Sequence, residues 1–231
     1  MPALYPAPTR FLPQISRHIE RTIGPSPMVF HEIISSDVHL DLFVVPPQTH
    51  DASLHFPHGR DFFTIVTSGM STFPMNAPHL ATKRRNSRYA ELMICLPADW
   101  PGLRFDGTFA LEQMREEANW WPIRWLKTIA RLPHEHGLFI GSGHTIPNGE
   151  DAVPFSENTK FGSLLVAPSA LHPDSHTLVI HDDMSVDFLA LWPLHSAELE
   201  YKLSHGPEAL ISRFQRSGIT ELVDLTRKSA V

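Results

Sequence analysis

The chain has 231 residues, 42% hydrophobic and 19% charged, a size and balance that fit one compact domain and exclude an intrinsically disordered chain. Its formal charge of -6 leaves no basic footprint for nucleic acid, and its one cysteine, Cys95, excludes a disulfide framework or a cysteine-rich zinc site. The opening MPALYPAPTR is unlike a signal peptide, and no stretch approaches the roughly 18 apolar residues of a membrane span, so the expected address is the cytoplasm.

From the N-terminus, Phe11, Leu12, Ile15, Ile19 and Ile23 follow helical spacing, and Gly24-Pro25 supplies a stop, which predicts a first helix. Residues 28–34 and 38–45 read as two strands of a hairpin around Ser35, Ser36 and Asp37, since Val38, Leu40 and Leu42 alternate with His39 and Asp41. Further strands are expected at 62–67, 91–96, 138–140, 161–167, 177–181 and 186–192, where β-branched and aromatic residues lie between Gly, Pro or Asp. A helix is expected over 122–132, with Pro122 at its first position, Ile123, Leu126, Ile129 and Ala130 on one face and Pro133 as its end. Near the C-terminus Ser196 is the expected cap of a helix with a Glu198–Lys202 pair and inward Leu199 and Leu203. After His205-Gly206-Pro207 a last helix carries Leu210, Ile211 and Phe214 and stops at Gly218. The expected fold is α+β, a single domain with a central mixed, largely antiparallel β-sheet packed against helices.

Several chemistries fail on spacing. Gly141-Ser142-Gly143 lacks the third glycine of a dinucleotide loop and the Lys-Ser/Thr pair of a P-loop, and Ile140 occupies the place of a nucleophile elbow's first glycine. Cys95 sits in an apolar run with no nearby cation to activate a thiol. Among the 15 histidines, His50, His55 and His58 share one segment and His134 and His136 would share a strand face, yet no full zinc signature appears. A metal-dependent hydrolase built from His134, His136 and His144 is the alternative enzyme class. Trp120, Trp121 and Trp125 suit either a core or an interface anchor, and Lys83, Arg84, Arg85 and Arg88 make a local basic run.

Taken together, Thr67-Ser68-Gly69-Met70-Ser71 with Pro74-Met75, then Tyr89-Ala90-Glu91-Leu92, Leu96-Pro97 and Asp99-Trp100, resemble the suppressor-of-fused family. The likeness continues through Trp121-Pro122-Ile123, Gly143-His144-Thr145-Ile146-Pro147, Asn158-Thr159-Lys160-Phe161, Pro193-Leu194 and residues 198–202. It covers about Met28 to Arg227, which implies an N-terminal segment with the first helix at 1–27, the family domain at 28–228 and a tail at 229–231.

The resemblance implies an α+β domain that binds other proteins, with no enzymatic activity, cofactor or metal. The animal protein carries an additional C-terminal domain, so this shorter form resembles the bacterial relatives, many of which are thought to serve as immunity proteins in polymorphic toxin systems. The implied partner is a protein, a cognate toxin or a regulatory protein, with no role for nucleic acid or membrane. A regulatory adaptor that binds a transcription-factor-type peptide is the alternative within the binding class. The partner-binding positions implied by the motifs are Gly69, Met70, Asp99, Trp100, Trp121, Gly143, His144, Thr145, Asn158 and Thr159.

Overall fold

A computed structural model describes residues 10–32, 38–48, 60–77 and 88–231. The expected turn around Ser35, the segment with His50, His55 and His58, and the run Lys83 to Arg85 lie outside these residues. Among them, the strands are β1 (Met28–Phe30), β2 (Asp41–Val45), β3 (Phe62–Ser68), β4 (Ala90–Pro97), β5 (Thr145–Pro147), β6 (Phe161–Ala167), β7 (Thr177–His181) and β8 (Met184–His195). The helices are α1 (Leu12–Thr22), α2 (Glu117–Glu135), α3 (Ser196–His205) and α4 (Pro207–Ser217).

The strands form one mixed sheet in the order β1-β2-β3-β4-β8-β6-β5, with β7 paired to β8 beside that path. Every pairing is antiparallel except β4 with β8, so the α+β expectation holds. Alternation along the central strands builds two cores. Ile65, Leu92, Ile94, Leu164 and Leu191 pack under α2 through Trp121, Leu126 and Ile129. Val66, Met93, Leu165 and Ala190 face the other way, onto Ile15 and Ile19 of α1 and Leu210 and Phe214 of α4.

Several elements differ from expectation for identifiable reasons. Helix α2 starts five residues before Pro122 and runs through Pro133. Proline at 122 cannot donate to the carbonyl of Ala118, four residues back, and the Asn158 side chain donates to that oxygen instead, at 3.1 Å. Strand β8 likewise passes through Pro193, whose carbonyl accepts from Arg227 at 2.7 Å. Residues 138–140 form no strand; they follow α2 as an irregular segment. β5, only three residues long, had no alternation to announce it.

In α3 the inward residue is Glu198, fully buried, while Leu203 is 69% exposed. Glu198 pairs with Arg227, and Lys202 reaches Thr145 instead, at 3.3 Å. Ser196 is the first residue of the helix and not its cap; the backbone N–H of His195 before it donates to Glu198 at 2.8 Å. Gly218 does end α4, in the left-handed conformation with φ +66°.

Candidate functional site

The parallel pair sets the site. β4 and β8 run side by side from Ala90↔Asp187 to Met93↔Ala190. Asp187 also pairs with β7 and Ala190 with β6, which puts β6 and β7 end to end on the far flank of β8. Towards its N-terminus β8 continues three residues beyond Asp187, to Met184, with no strand beside it on the β4 flank among the described residues. A cleft of about 840 Å³ opens where the two strands part, with Ala90 and Leu189 at its floor.

Two irregular segments wall this cleft. One is Met75–Ala77, after β3; the other is Gly137–Ser142 with His144, after α2. The Asn76 amide donates to the Gly137 carbonyl at 3.0 Å and joins the walls, while Met75 N–H donates to the Arg88 carbonyl at 2.7 Å. His134 Nε2 donates to the Met70 carbonyl at 2.8 Å, tying the end of α2 to the first wall. Leu138, 47% exposed, and the exposed His144 stand on the rim. Pro168, His176, Thr177 and Asp187 complete it.

Beneath the first wall lies Glu91, fully buried. Its Oε1 accepts from the N–H of Gly69 (2.9 Å), the N–H of Ser71 (3.0 Å) and the Ser71 hydroxyl (2.6 Å), and its Oε2 from the Thr67 hydroxyl (2.6 Å). Burial pushes its carboxyl above the usual range, against the pull of these four hydrogen bonds. Gly69 is required here: its φ is +139°, and a Cβ would lie 2.0 Å from the His39 carbonyl oxygen.

The ten motif positions do not converge on one face. Gly69 and the buried Met70 support the first wall. Gly143 and His144 form the turn of the second, where Gly143 N–H donates to the Val166 carbonyl and His144 Nδ1 accepts from Gly141. Thr145 lies on β5 beneath Lys202. Trp100, Trp121, Asn158 and Thr159 belong to the start of α2 and its surroundings: Trp100 Nε1 donates to the Asn119 carbonyl at 3.0 Å, Trp121 is fully buried, and Thr159 accepts from the Phe161 N–H. Asp99 is exposed in the turn after β4. Sequence reasoning missed Leu138, Asn76 and Asp187, because only the pairing of β4 with β8 brings those distant segments together.

A second polar group is buried across the sheet from α2. Arg60, 2% exposed, donates to the Ile23 and Pro46 carbonyls, capping the end of α1. Burial pushes its guanidinium down to about 10. Thr64 joins His172 at 2.8 Å, and Glu221 accepts from Ser169, Ala170 and Leu171, which pins the loop leading to the cleft rim. Cys95 is fully buried, and burial raises its thiol well above the ordinary range, so it is no nucleophile. Among the described residues no three His, Cys, Asp or Glu side chains come together as a metal site.

His172 gives the fold a definite pH dependence. Burial, with the nearby Arg60 charge, lowers its imidazole from 6.5 to about 3. The folded state therefore refuses a proton that the unfolded chain accepts, and the associated stability is complete above about pH 6.5 and lost as pH falls towards 3. Between pH 7 and pH 5 the loss is about 2 kcal/mol. Urea titrations at both pH values should show a loss about 2 kcal/mol larger in the natural chain than in His172→Gln, because His18 and His195, whose imidazoles burial also lowers, act in the same sense in both proteins; equal losses would show that another group governs the range. The raised carboxyls of Glu91 and Glu221 act in the opposite sense, losing stability as pH rises, and are common to both proteins.

What the cleft offers is an apolar floor, a strand flank with no neighbouring strand among the described residues, and a rim that mixes Leu138 and Pro168 with His144, His176, Thr177 and Asp187. Such a surface can take an extended chain by strand addition, and among the described residues it pairs no nucleophile with a base.

Comparison with known proteins agrees with this architecture. The sequence profile described as Suppressor of fused protein (SUFU) matches residues 36–228. The chain is similar to a SUFU homolog from Neisseria gonorrhoeae FA 1090, with a TM-score of 0.63 and 18% identity over 95% of this chain and 96% of that one. It is also similar to a chain in the crystal structure of the Sufu-Fu complex, with a TM-score of 0.63 and 14% identity over 97% and 93%. At these identities the two structures show a shared fold. No curated protein matches the chain.

Proposed function

Because the chain belongs to the suppressor of fused family, we propose that it is a non-enzymatic protein-binding domain whose binding site is the cleft between the starts of β4 and β8. The observation that carries this reading is the flank of β8 beyond Asp187, which no strand accompanies among the described residues, above an apolar floor. Its polar backbone groups can pair with a partner's chain while the floor accepts alternate side chains. One structure of similar fold comes from a protein complex, the Sufu-Fu complex, which supports the binding class.

Within that class we favour an immunity role, in which the domain occludes a cognate toxin by direct contact. The support is the near-complete overlap with a bacterial homolog and the net charge of -6, which steers the protein towards a basic partner. The regulatory adaptor is the second reading, supported by the strand-addition geometry. Of the ten motif positions, His144 and Gly143 are proposed as contact residues, and the others as supports of the surfaces around them.

Leu138→Glu tests the site. Leu138 is half exposed, so the change should leave the fold intact while putting a charge in place of an apolar side chain on the rim. Partners would be sought by co-expression with neighbouring genes and affinity capture. Binding of the captured partner should weaken about tenfold or more in the variant, as expected for one well-placed contact. An unchanged Kd would remove the cleft from the binding surface. Rescue of cells from a neighbouring toxin then separates immunity from the adaptor reading.

A further inference from the structure

The pairing of β3 with β4 ends at Val66↔Met93. One residue later Thr67 replaces the ladder with its side chain: its hydroxyl oxygen accepts from Leu92 N–H at 2.9 Å and donates to Glu91 at 2.6 Å. The chain then leaves the sheet through Gly69 and Ser71, both held by the same carboxylate, and six residues beyond Gly69 it becomes the cleft wall at Met75. Two backbone N–H groups and two hydroxyls converge on Glu91, and no ion pair reaches it among the described residues. A fully buried carboxylate without a cation is an expensive way to hold a turn that neutral side chains hold elsewhere in the same molecule. Thr159, for example, accepts a backbone N–H with its hydroxyl alone.

Its four-fold acceptor capacity accounts for the choice. An ionised carboxylate accepts every donor at once without offering a proton of its own, whereas a carboxamide would turn an N–H₂ towards one of them. The neighbouring residue on β4, Ala90, is part of the cleft floor. One strand therefore presents the floor with one residue and fixes the adjoining wall with the next.

Resting on the reading of the cleft as the binding site, we propose that Glu91 is its positioning residue, holding the Gly69–Met75 segment where the first wall must stand for a ligand to be gripped. It touches no ligand itself; it acts through Gly69, Ser71 and the chain that follows them.

The test uses the full chain and an apolar fluorescent probe, anilinonaphthalene sulfonate, with amide hydrogen exchange and urea unfolding measured in parallel. In Glu91→Gln the Gly69 and Ser71 amides should exchange faster by about tenfold to a hundredfold, as for one or two lost hydrogen bonds. The folded protein's affinity for the probe should fall about tenfold. A residue that merely stabilises the fold would lower the urea midpoint and leave the folded protein's affinity within about twofold of the natural chain, and that result would overturn the proposal.

If Glu91→Gln does not fold, Ser71→Ala, which removes one of the four donors, serves instead. A several-fold weaker probe affinity supports the assignment and an unchanged one refutes it. Leu138→Glu separates the two ideas: if it leaves probe binding untouched, the cleft reading itself fails. If it abolishes binding while Glu91→Gln does not weaken it, only the role of Glu91 fails.

Discussion

Arg227→Ala is expected to destabilise the protein by about 3–5 kcal/mol, the range for stranding one member of a buried ion pair. Arg227 donates to Glu198 through both terminal nitrogens, at 2.6 and 2.7 Å, and to the Pro193 carbonyl at 2.7 Å. The guanidinium lies 4.9 Å from the Phe161 ring centre and 5.5 Å from that of Phe214. Glu198, fully buried, also accepts the N–H groups of His195 and Ala230, so one carboxylate joins the end of β8, the start of α3 and the C-terminal tail.

Removing the arginine leaves that carboxylate buried without its cation. Urea denaturation should show the full loss for Arg227→Ala and a smaller one for Arg227→Lys, which keeps the charge and gives up the two-pronged geometry. Replacing both partners with methionine should recover much of the stability, because the desolvation cost disappears with the charges. A loss below about 1 kcal/mol for the alanine variant, the scale of a surface pair, would mean that the pair is solvated and the tail detached.

Trp121→Ala should cost a similar amount, about 3–5 kcal/mol, by a different route. The indole is fully buried, stacks on Phe155 with ring centres 4.9 Å apart, and meets Trp100 edge-on at 6.5 Å. Its N–H has no hydrogen-bond partner among the described residues, so the loss is one of packing: a large apolar volume vanishes from between α2 and the sheet, and the walls cannot close over it. Trp121→Phe keeps most of that volume and should cost markedly less. The folded fraction of the alanine variant should still bind the partner as the natural chain does, because Trp121 reaches no surface. A variant of natural stability with lost binding would reverse this assignment and make the tryptophan an interface anchor.

These two residues show how unevenly the chain discloses its structure. Trp121 was legible as one of three tryptophans at the entry to an apolar helix, although its type alone left core and interface open. Arg227 carried no signal, since its partner is 29 residues away and the α3 spacing favoured a Glu198–Lys202 pair. Local pairs at i,i+4 contribute only a few tenths of a kcal/mol, and a buried tertiary partner outweighs them. The same competition turned Leu203 outward, because burying Glu198 with Arg227 fixed the rotation of the helix.

Proline was the other source of error. Pro122 and Pro133 were expected to bound a helix that in fact contains both. The Asn158 amide, from a segment far along the chain, occupies the carbonyl that Pro122 leaves unpaired. That residue belongs to a family-like motif, and its position gives a physical reason for an asparagine there that has no need of a partner protein.

The sequence by itself determined the class of molecule: an α+β domain with strands at β3, β4, β6 and β7 close to where alternation put them, a buried unreactive Cys95, and ordered motifs belonging to one family. Those features depend on periodicity and residue type, which act over a few neighbouring positions. Only the tertiary structure decided where β4 and β8 part, which segments wall the resulting cleft, and that Glu91, Glu198 and Glu221 are buried and held by donors from other elements. The reason is physical. A carboxylate's environment and a cleft's shape depend on which distant backbone groups arrive beside them, and pairing between strands far apart in the chain leaves no mark on the local pattern.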